Sequence, residues 1–205
     1  MSAGPVNRKG RKFDQVLAGA QEIFLRDGFE GASVDEIART AGVSKATLYK
    51  YFPDKRLLFI EVASDQCCRL ADEALVSMDL TRPPKEVLTE AGQRFVNYLY
   101  SDMSMRVCRI CMAESERFPE IGKRFYESGP MLMRKALTLY LEVAQSRGEL
   151  VIDDMALAAD QFGELCKADL WLKLAFGIQR EVTKSQTDRV VAGAVDTFLA
   201  RYGVI

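Results

Sequence analysis

The stretch SVDEIARTAGVSKATLYKYFPDK, residues 33–55, predicts two short helices joined by a tight turn. Ser33 and Glu36 form a capping-box pattern, in which the hydroxyl accepts from the third helical amide and the carboxylate reaches back to the serine amide. Gly42 permits the left-handed backbone that the turn needs, without the steric cost of a Cβ atom. Ser44 is the expected N-cap of the second helix.

The spacing inside this stretch is typical of a helix-turn-helix. Ala38 is a small residue where the two helices touch, Gly42 stands at the bend, and Leu48 anchors the second helix. Phe52 extends the buried face of that helix. Pro53 ends it, because a proline disfavours helical geometry in the residue before it.

The outward face of the second helix is free of acidic residues from Ser44 to Pro53. An ordinary solvated helix mixes acids with bases, so the alternative of a capped αα-hairpin with a solvated face explains this pattern less well. Side chains that form hydrogen bonds or carry positive charge suit contacts with phosphates and base edges. The outward residues are Lys45, Thr47, Tyr49, Lys50 and Tyr51.

Four segments make the chain resemble the DNA-binding domain of TetR/AcrR-type transcriptional regulators. They are 35–38 (DEIA), 41–44 (AGVS), 47–49 (TLY) and 51–55 (YFPDK). This resemblance covers about the first quarter of the chain, and beyond it the chain is similar only to the general plan of an all-helical regulatory domain. Residues 114–121, ESERFPEI, also resemble the junction between two central helices in the efflux-regulator branch.

The resemblance implies that residues 44–52 form a recognition helix in the major groove of DNA. It implies that Lys45 and Thr47 read base edges and that Ala46 touches a thymine methyl group. Tyr49 and Lys55 would contact backbone phosphates. The full predicted DNA-contact set, in which Lys50 and Tyr51 serve either role and Ser33 is a further phosphate candidate, is Ser33, Ser44, Lys45, Ala46, Thr47, Tyr49, Lys50, Tyr51 and Lys55.

Charge is unevenly distributed along the 205 residues, although the net charge is only −1. Residues 1–56 contain ten bases and seven acids, a balance of +3, and the remainder carries −4. A basic first part on an acidic chain suits a domain that approaches phosphates. The basic residues ahead of the first helix, among them Arg8 and Lys9, would follow the DNA backbone or enter a minor groove. A solubilising start is the alternative.

Several classes of function are disfavoured. The chain has no histidine, which removes imidazole bases and most transition-metal sites, and we expect no enzyme activity, no cofactor and no metal. A hydrophobic content of 48% without a signal peptide or membrane span predicts a cytoplasmic protein. Cys108 and Cys111 have the spacing of a redox pair, but they lie in the apolar pattern of a helix, so core packing is the favoured interpretation over a thiol switch.

The whole chain reads as all-α, with about nine helices and almost no period-2 alternation. We expect a helix-turn-helix DNA-binding domain with its basic tail at residues 1–54, and a larger helical effector-binding and dimerisation domain at 55–205. The fourth helix, beginning near Asp54, would link the two mechanically. Gly28 should end the first helix, and one helix should run from about Met155 to Phe176.

The last two predicted helices, about 155–176 and 185–201, are apolar on more than one side. Such helices need partners beyond a single core, and a second copy of the same pair would form an isologous four-helix bundle. Packing within a monomer is the alternative. The resemblance favours a homodimer through these helices.

The middle helices are rich in methionine and aromatic residues, which suit either a hydrophobic pocket or an ordinary core. The resemblance implies a small-molecule pocket in this region. The predicted lining residues are Phe95, Tyr98, Leu99, Cys108, Met112, Phe125, Met133, Phe162 and Trp171.

The first hypothesis is therefore a homodimeric regulator that responds to a small hydrophobic effector. It would most naturally act as a repressor on a palindromic operator of double-stranded DNA. An architectural DNA-binding protein of the same fold that binds no effector is the main alternative. A thiol redox-sensing regulator, or a helical enzyme with thiol chemistry, has less support from the residues.

Overall fold

The computed structural model describes residues 10–77 and 79–204, and it describes all of their side chains except those of 70–77. Within these ranges the protein is all-α, with eleven helices and a single isolated bridge between Leu150 and Gly203. Arg8 and Lys9 of the basic tail lie outside the described residues. The helices are α1 (Arg11–Gly31), α2 (Val34–Thr40), α3 (Lys45–Tyr51), α4 (Lys55–Ser77), α5 (Pro84–Leu99), α6 (Asp102–Glu114), α7 (Pro119–Ser128), α8 (Pro130–Ser146), α9 (Met155–Leu165), α10 (Leu170–Ala175) and α11 (Lys184–Tyr202).

The prediction of an all-α fold is confirmed, and two breaks raise the number of helices above the expected nine. One break lies at Gly129, where Pro130 starts a new helix. The other falls between α9 and α10, so the prediction of one helix from Met155 to Phe176 is wrong. There Asp169 has a φ of 67°, a left-handed conformation that a continuous helix excludes.

Gly28 has a φ of 69° and interrupts the regular geometry of α1, although the helical hydrogen bonding continues to Gly31. The sequence placed the break at the right residue. The consequence is a kink rather than an end, since a further helical turn follows before Ala32.

Contacts divide the chain into two compact units. The first comprises the described residues up to Cys67 together with 106–128, and the second comprises 68–105 and the described residues from Gly129 onward. The division into domains at residues 1–54 and 55–205 stays a prediction, because these units are defined by contacts and not by independent folding.

Aromatic contacts hold the first unit together. The Phe13 ring stacks on that of Phe52 with 5.4 Å between centroids, which ties α1 to the end of α3. Phe24 meets Phe59 edge to face at 4.9 Å, which ties α1 to α4. These rings are 1–5% exposed, so α1 serves chiefly to pack the helix-turn-helix.

Buried polar contacts join α4 to α7 within the same unit. Glu61 is 6% exposed and accepts from Arg124 Nη2 at 3.0 Å. Ser128 Oγ donates to Ser64 Oγ at 3.0 Å, and both serines are buried. These contacts explain why residues 106–128 group with the N-terminal helices.

The core of the second unit is formed by α5, α8, α9 and α11. Phe162 of α9 meets Phe198 of α11 edge to face at 5.6 Å. Tyr140 is fully buried, and its hydroxyl donates to the Arg82 carbonyl at 2.9 Å, so this large side chain is buried with its polar atom satisfied.

Among the described residues, none of the helices has both the length and the apolar character that a membrane span requires.

Candidate nucleic-acid interface

The start of α2 is fixed by Ser33, whose Oγ accepts from the Glu36 amide at 3.1 Å. The other half of the predicted capping box is replaced by ion pairs. The Glu36 carboxylate accepts from Arg26 at 2.6 Å and from Arg39 at 3.3 Å. The acid thus neutralises two arginines of α1 and α2 instead of reaching back to the Ser33 amide.

The turn between α2 and α3 has the predicted geometry. Gly42 has a φ of 64°, and the Val43 amide donates to the Ala38 carbonyl at 3.0 Å, which closes the end of α2. Ser44 then caps α3 by accepting from the Thr47 amide at 3.1 Å. The hydroxyls of Ser44 and Thr47 also lie 2.8 Å apart, so the cap engages the Thr47 hydroxyl that was predicted to read bases.

The two faces of α3 are sharply different. Leu48 and Phe52 are each 1% exposed and anchor the helix in the first unit. The predicted contact residues Lys45, Ala46, Tyr49 and Lys50 are exposed, whereas Thr47 and Tyr51 are partly exposed. The helix therefore presents to solvent the side chains that the sequence assigned to DNA.

Tyr51 has a second partner besides solvent. Its ring meets that of Phe13 edge to face, with 5.8 Å between centroids. This contact makes Tyr51 part of the packing between α1 and α3, and its predicted role at DNA would use the remaining exposed edge.

The two lysines of α3 differ in their surroundings. Lys45 Nζ lies 2.8 Å from Oδ1 of Asp35 in the first turn of α2, and this hydrogen bond raises the pKa of Lys45. Lys50, on the opposite end of α3, is exposed and forms no ion pair within the described residues.

Lys55 is half-buried at the start of α4 and is engaged by the end of α1. Its Nζ donates to the Phe29 carbonyl at 2.7 Å and to the Ala32 carbonyl at 3.1 Å, and it lies 4.5 Å from the Phe29 ring centroid. An ammonium group has three donors, so one remains for the predicted phosphate contact. Sequence reasoning did not anticipate the two carbonyl contacts.

Gly19 is a packing residue of this unit that sequence reasoning missed. A Cβ atom at this position of α1 would lie 2.7 Å from the backbone nitrogen of Ala41, at the end of α2. Only glycine allows this close approach of the two helices. The available signal was a glycine in the middle of an amphipathic helix, where it normally costs stability.

The predicted effector residues are distributed over both units. Cys108, Met112 and Phe125 belong to the first unit, and Met112 is 54% exposed. The others belong to the second unit, where Phe162 lies in the hydrophobic core at 2% exposure. Their role in ligand binding stays a prediction.

A groove of about 350 Å³ lies between α5 and α11, and none of the predicted effector residues lines it. Most of its lining residues are polar or charged, but the surface that they present to the groove is mainly apolar. The lining residues are Lys85, Thr89, Gln93, Asp188, Ala192, Val195 and Asp196.

The predicted redox cysteines are buried on α6. Burial raises the pKa of Cys111 to about 12, with a smaller contribution from Cys108. Both side chains are no more than 6% exposed. A thiol that stays protonated and inaccessible is a poor nucleophile, so the structure favours the core interpretation.

Two family models match the chain. Residues 16–62 match the bacterial regulatory proteins of the tetR family, and residues 86–204 match the C-terminal domain of AefR-like transcriptional repressors. The first match contains α2, the turn and α3. The second covers more than half of the chain.

Individual proteins agree with these matches. The transcriptional activator FasR of Mycolicibacterium smegmatis is 30% identical over 102 residues, which are 47% of this chain and 47% of FasR. The chain thus spans about half the length of this curated relative. Over 95% of the chain, the structure of a TetR-family regulator from Mesorhizobium loti superposes with a TM-score of 0.76 at 28% identity and 98% coverage of that protein. The flavonoid-responsive regulator FrrA superposes over the same share of each chain with a TM-score of 0.70 at 34% identity.

Proposed function

Because the chain belongs to the TetR family of bacterial DNA-binding transcriptional regulators, we propose that it is a homodimeric repressor released from a palindromic operator by a small hydrophobic ligand. The observation that carries the proposal is the face of α3 opposite Leu48, which exposes Lys45, Ala46, Tyr49 and Lys50. Membership of the family supports a regulatory role in the cytoplasm and not an enzymatic one.

The proposed contacts with DNA follow from the exposure and chemistry of α3. Lys45 and Thr47 would read base edges, and the Ala46 methyl would touch a thymine methyl group. Tyr49 would donate to a phosphate. Lys50 would serve either role, since its charge is not matched by an acid within the described residues.

Further phosphate contacts would come from the edges of the helix-turn-helix. Ser33 and Ser44 stand at the N-termini of α2 and α3, where backbone amides favour an anion. Lys55 has one donor beyond its two carbonyl contacts. Tyr51 would contact a phosphate through the exposed part of its side chain.

The proposed dimer uses α9, α10 and α11. Leu157 and Leu172 are 50% and 60% exposed, although both are large apolar side chains. On α11, Gly193 is exposed and open, with nothing within 4 Å of a Cβ built at this position. Small residues beside apolar ones allow two helix pairs to approach closely, as in a four-helix bundle. Twofold symmetry would then match a palindromic operator.

The proposed effector is a small, largely apolar molecule. FrrA, which is 34% identical over nearly its whole length, is described as flavonoid-responsive. This similarity favours an effector-responsive regulator over an architectural protein of the same fold. The predicted pocket residues remain the candidates for ligand contact.

A direct test begins with selection of a DNA duplex from a randomised pool by the purified full-length protein. We expect enrichment of an inverted repeat with half-sites about one turn of DNA apart. A reporter gene placed behind that duplex should fall in expression when the protein is present and recover on addition of a flavonoid mixture. A rise in expression would instead indicate an activator, as FasR is named. The absence of any enriched duplex would overturn the proposal.

A further inference from the structure

The ion pair between Asp35 and Lys45 lies on the same surface as the proposed DNA contacts. Their side chains are 73% and 51% exposed, and Nζ is 2.8 Å from Oδ1. Lys45 is the first residue of α3, and Asp35 is in the first turn of α2. A carboxylate is an unexpected neighbour for a surface that approaches phosphates, because it is repelled by them.

The two adjacent acids of α2, Asp35 and Glu36, form ion pairs with different basic residues. Glu36 pairs with Arg26 and Arg39, whereas Asp35 pairs with Lys45. Lys50, on the same helix, has no acidic partner within the described residues. Lys45 would thus approach DNA as a member of an ion pair, and Lys50 as a positive charge without an acidic partner in the described part of the chain.

The pairing discriminates between two kinds of contact. A lysine ammonium carries three donors, so Lys45 can keep its bond to Asp35 while donating to the acceptor edge of a base. A backbone phosphate at the same ammonium group would bring a second negative charge beside the Asp35 carboxylate, and the two negative charges repel each other. The first contact requires the right base, and the second is the same on any sequence.

We infer that Asp35 is a specificity-determining residue, which holds Lys45 toward base edges and lowers the affinity of the protein for non-cognate DNA. This inference rests on the proposed binding of α3 in the major groove. It assigns to an acidic residue, outside the predicted contact set, a part in sequence discrimination.

The test uses the full chain, the selected operator duplex and a duplex of the same length and composition in shuffled order. Asp35→Asn removes the charge and keeps the shape. We expect its affinity for the shuffled duplex to rise about twofold to fivefold, the range that an exposed ion pair supports. The slope of log K against log salt should steepen by about 0.9, as for one additional phosphate contact. Operator affinity should change less, so the ratio of the two affinities should fall.

Two comparisons separate this role from a change in net charge. Asp14→Asn, at an exposed position of α1 in the same unit, makes the same chemical change at an acid that does not pair with Lys45. It should leave the ratio of affinities as in the wild type. In a Lys45→Met background, Asp35→Asn should no longer alter that ratio, because the lysine that it positions is gone.

Equal effects of Asp35→Asn and Asp14→Asn would overturn the inference, as would an effect of Asp35→Asn that persists with Lys45→Met. Failure of the proposed function has a different signature: the wild-type protein would bind the two duplexes equally, or neither. Thermal unfolding of each variant, which we expect within a few degrees of the wild type, shows that the fold is retained.

Discussion

At the level of single residues, Tyr49 tests which face of α3 meets DNA. The side chain is 43% exposed and opposite the buried Leu48. Tyr49→Ala should weaken operator binding about tenfold, the loss expected when a hydrogen bond to a charged group is removed. Gel shift measures this, and sizing chromatography should show an unchanged oligomer. Tyr51→Ala is the matched comparison, and its loss of the Phe13 contact should lower the thermal midpoint. A lowered midpoint for Tyr49→Ala would show that we have misassigned the face.

Lys55 is predicted to act in both stability and binding. Lys55→Met removes the donors to the Phe29 and Ala32 carbonyls, so the free energy of unfolding should fall by about 1 kcal/mol. The salt slope of operator binding should become shallower by about 0.9 if the third donor meets a phosphate. Denaturant titration and binding at several salt concentrations measure the two effects. A destabilised variant with an unchanged slope would remove Lys55 from the DNA contacts.

The buried cysteines should be unreactive in the folded protein. Burial raises the pKa of Cys111 and of Cys166 to about 12, whereas the pKa of a thiol in an unfolded chain is about 8.5. Alkylation at neutral pH, followed by mass spectrometry, should modify the half-buried Cys67 and Cys68 well before these two. Rapid labelling of Cys111 in the native protein would revive the redox alternative.

The raised pKa values of Cys111 and Cys166 also predict how the stability of the protein depends on pH. Between about 8.5 and about 12 the unfolded chain releases a thiol proton that the folded chain retains, so unfolding is favoured. The stability that the folded protein gains from keeping these thiols protonated is fully present below about pH 8.5 and is lost as the pH rises toward about 12. A Cys111→Ala, Cys166→Ala double variant should show a weaker decline in alkaline solution.

At the level of helices, Gly19 tests the packing of α1 on the helix-turn-helix. Gly19→Ala places a Cβ atom 2.7 Å from the Ala41 backbone, which cannot yield as a flexible side chain would. We expect a loss of about 1–3 kcal/mol in the free energy of unfolding, as for overpacking in a core. Gly193→Ala is the control when both changes are made in a monomeric background, because a Cβ atom at this helical position meets nothing within 4 Å among the described residues of the single chain and should be neutral or stabilising. A Gly19→Ala protein as stable as the wild type would contradict this close approach.

The helices also show how much of the fold could be predicted from the sequence. Caps, turn glycine and apolar spacing act locally, so α2 and α3 were predicted to within a residue. The break between α9 and α10 was missed because the apolar pattern continues through it. Two contacts with distant residues accompany it: Asp169 accepts from Arg189 of α11, and the Cys166 carbonyl accepts from the hydroxyl of Tyr100, which directly follows α5. No local pattern contains that information.

At the level of the whole molecule, the grouping of residues 106–128 with the N-terminal helices was also beyond sequence reasoning. It rests on contacts between residues about sixty positions apart, such as Glu61 with Arg124. Periodicity identifies the buried side of each helix but not the helix that covers it. For the same reason the predicted effector residues could be named as apolar and aromatic, but not placed together in one pocket.

The last prediction follows from the proposed dimer and links its assembly to DNA affinity. Leu157→Glu with Leu172→Glu puts two charges into an interface that would bury both side chains, and the desolvation of unpaired charges should prevent association. Sedimentation velocity should then show a monomer at concentrations where the wild type is a dimer. Operator affinity should fall by about a hundredfold or more, because a single recognition helix loses the effective concentration that its tethered copy provides. Leu25→Glu is the matched control, since Leu25 is 60% exposed in the first unit, outside the proposed interface. A double variant that remains dimeric would refute the interface through α9 to α11, and a monomer that binds operator as tightly as the wild type would refute the need for two helices on a palindrome.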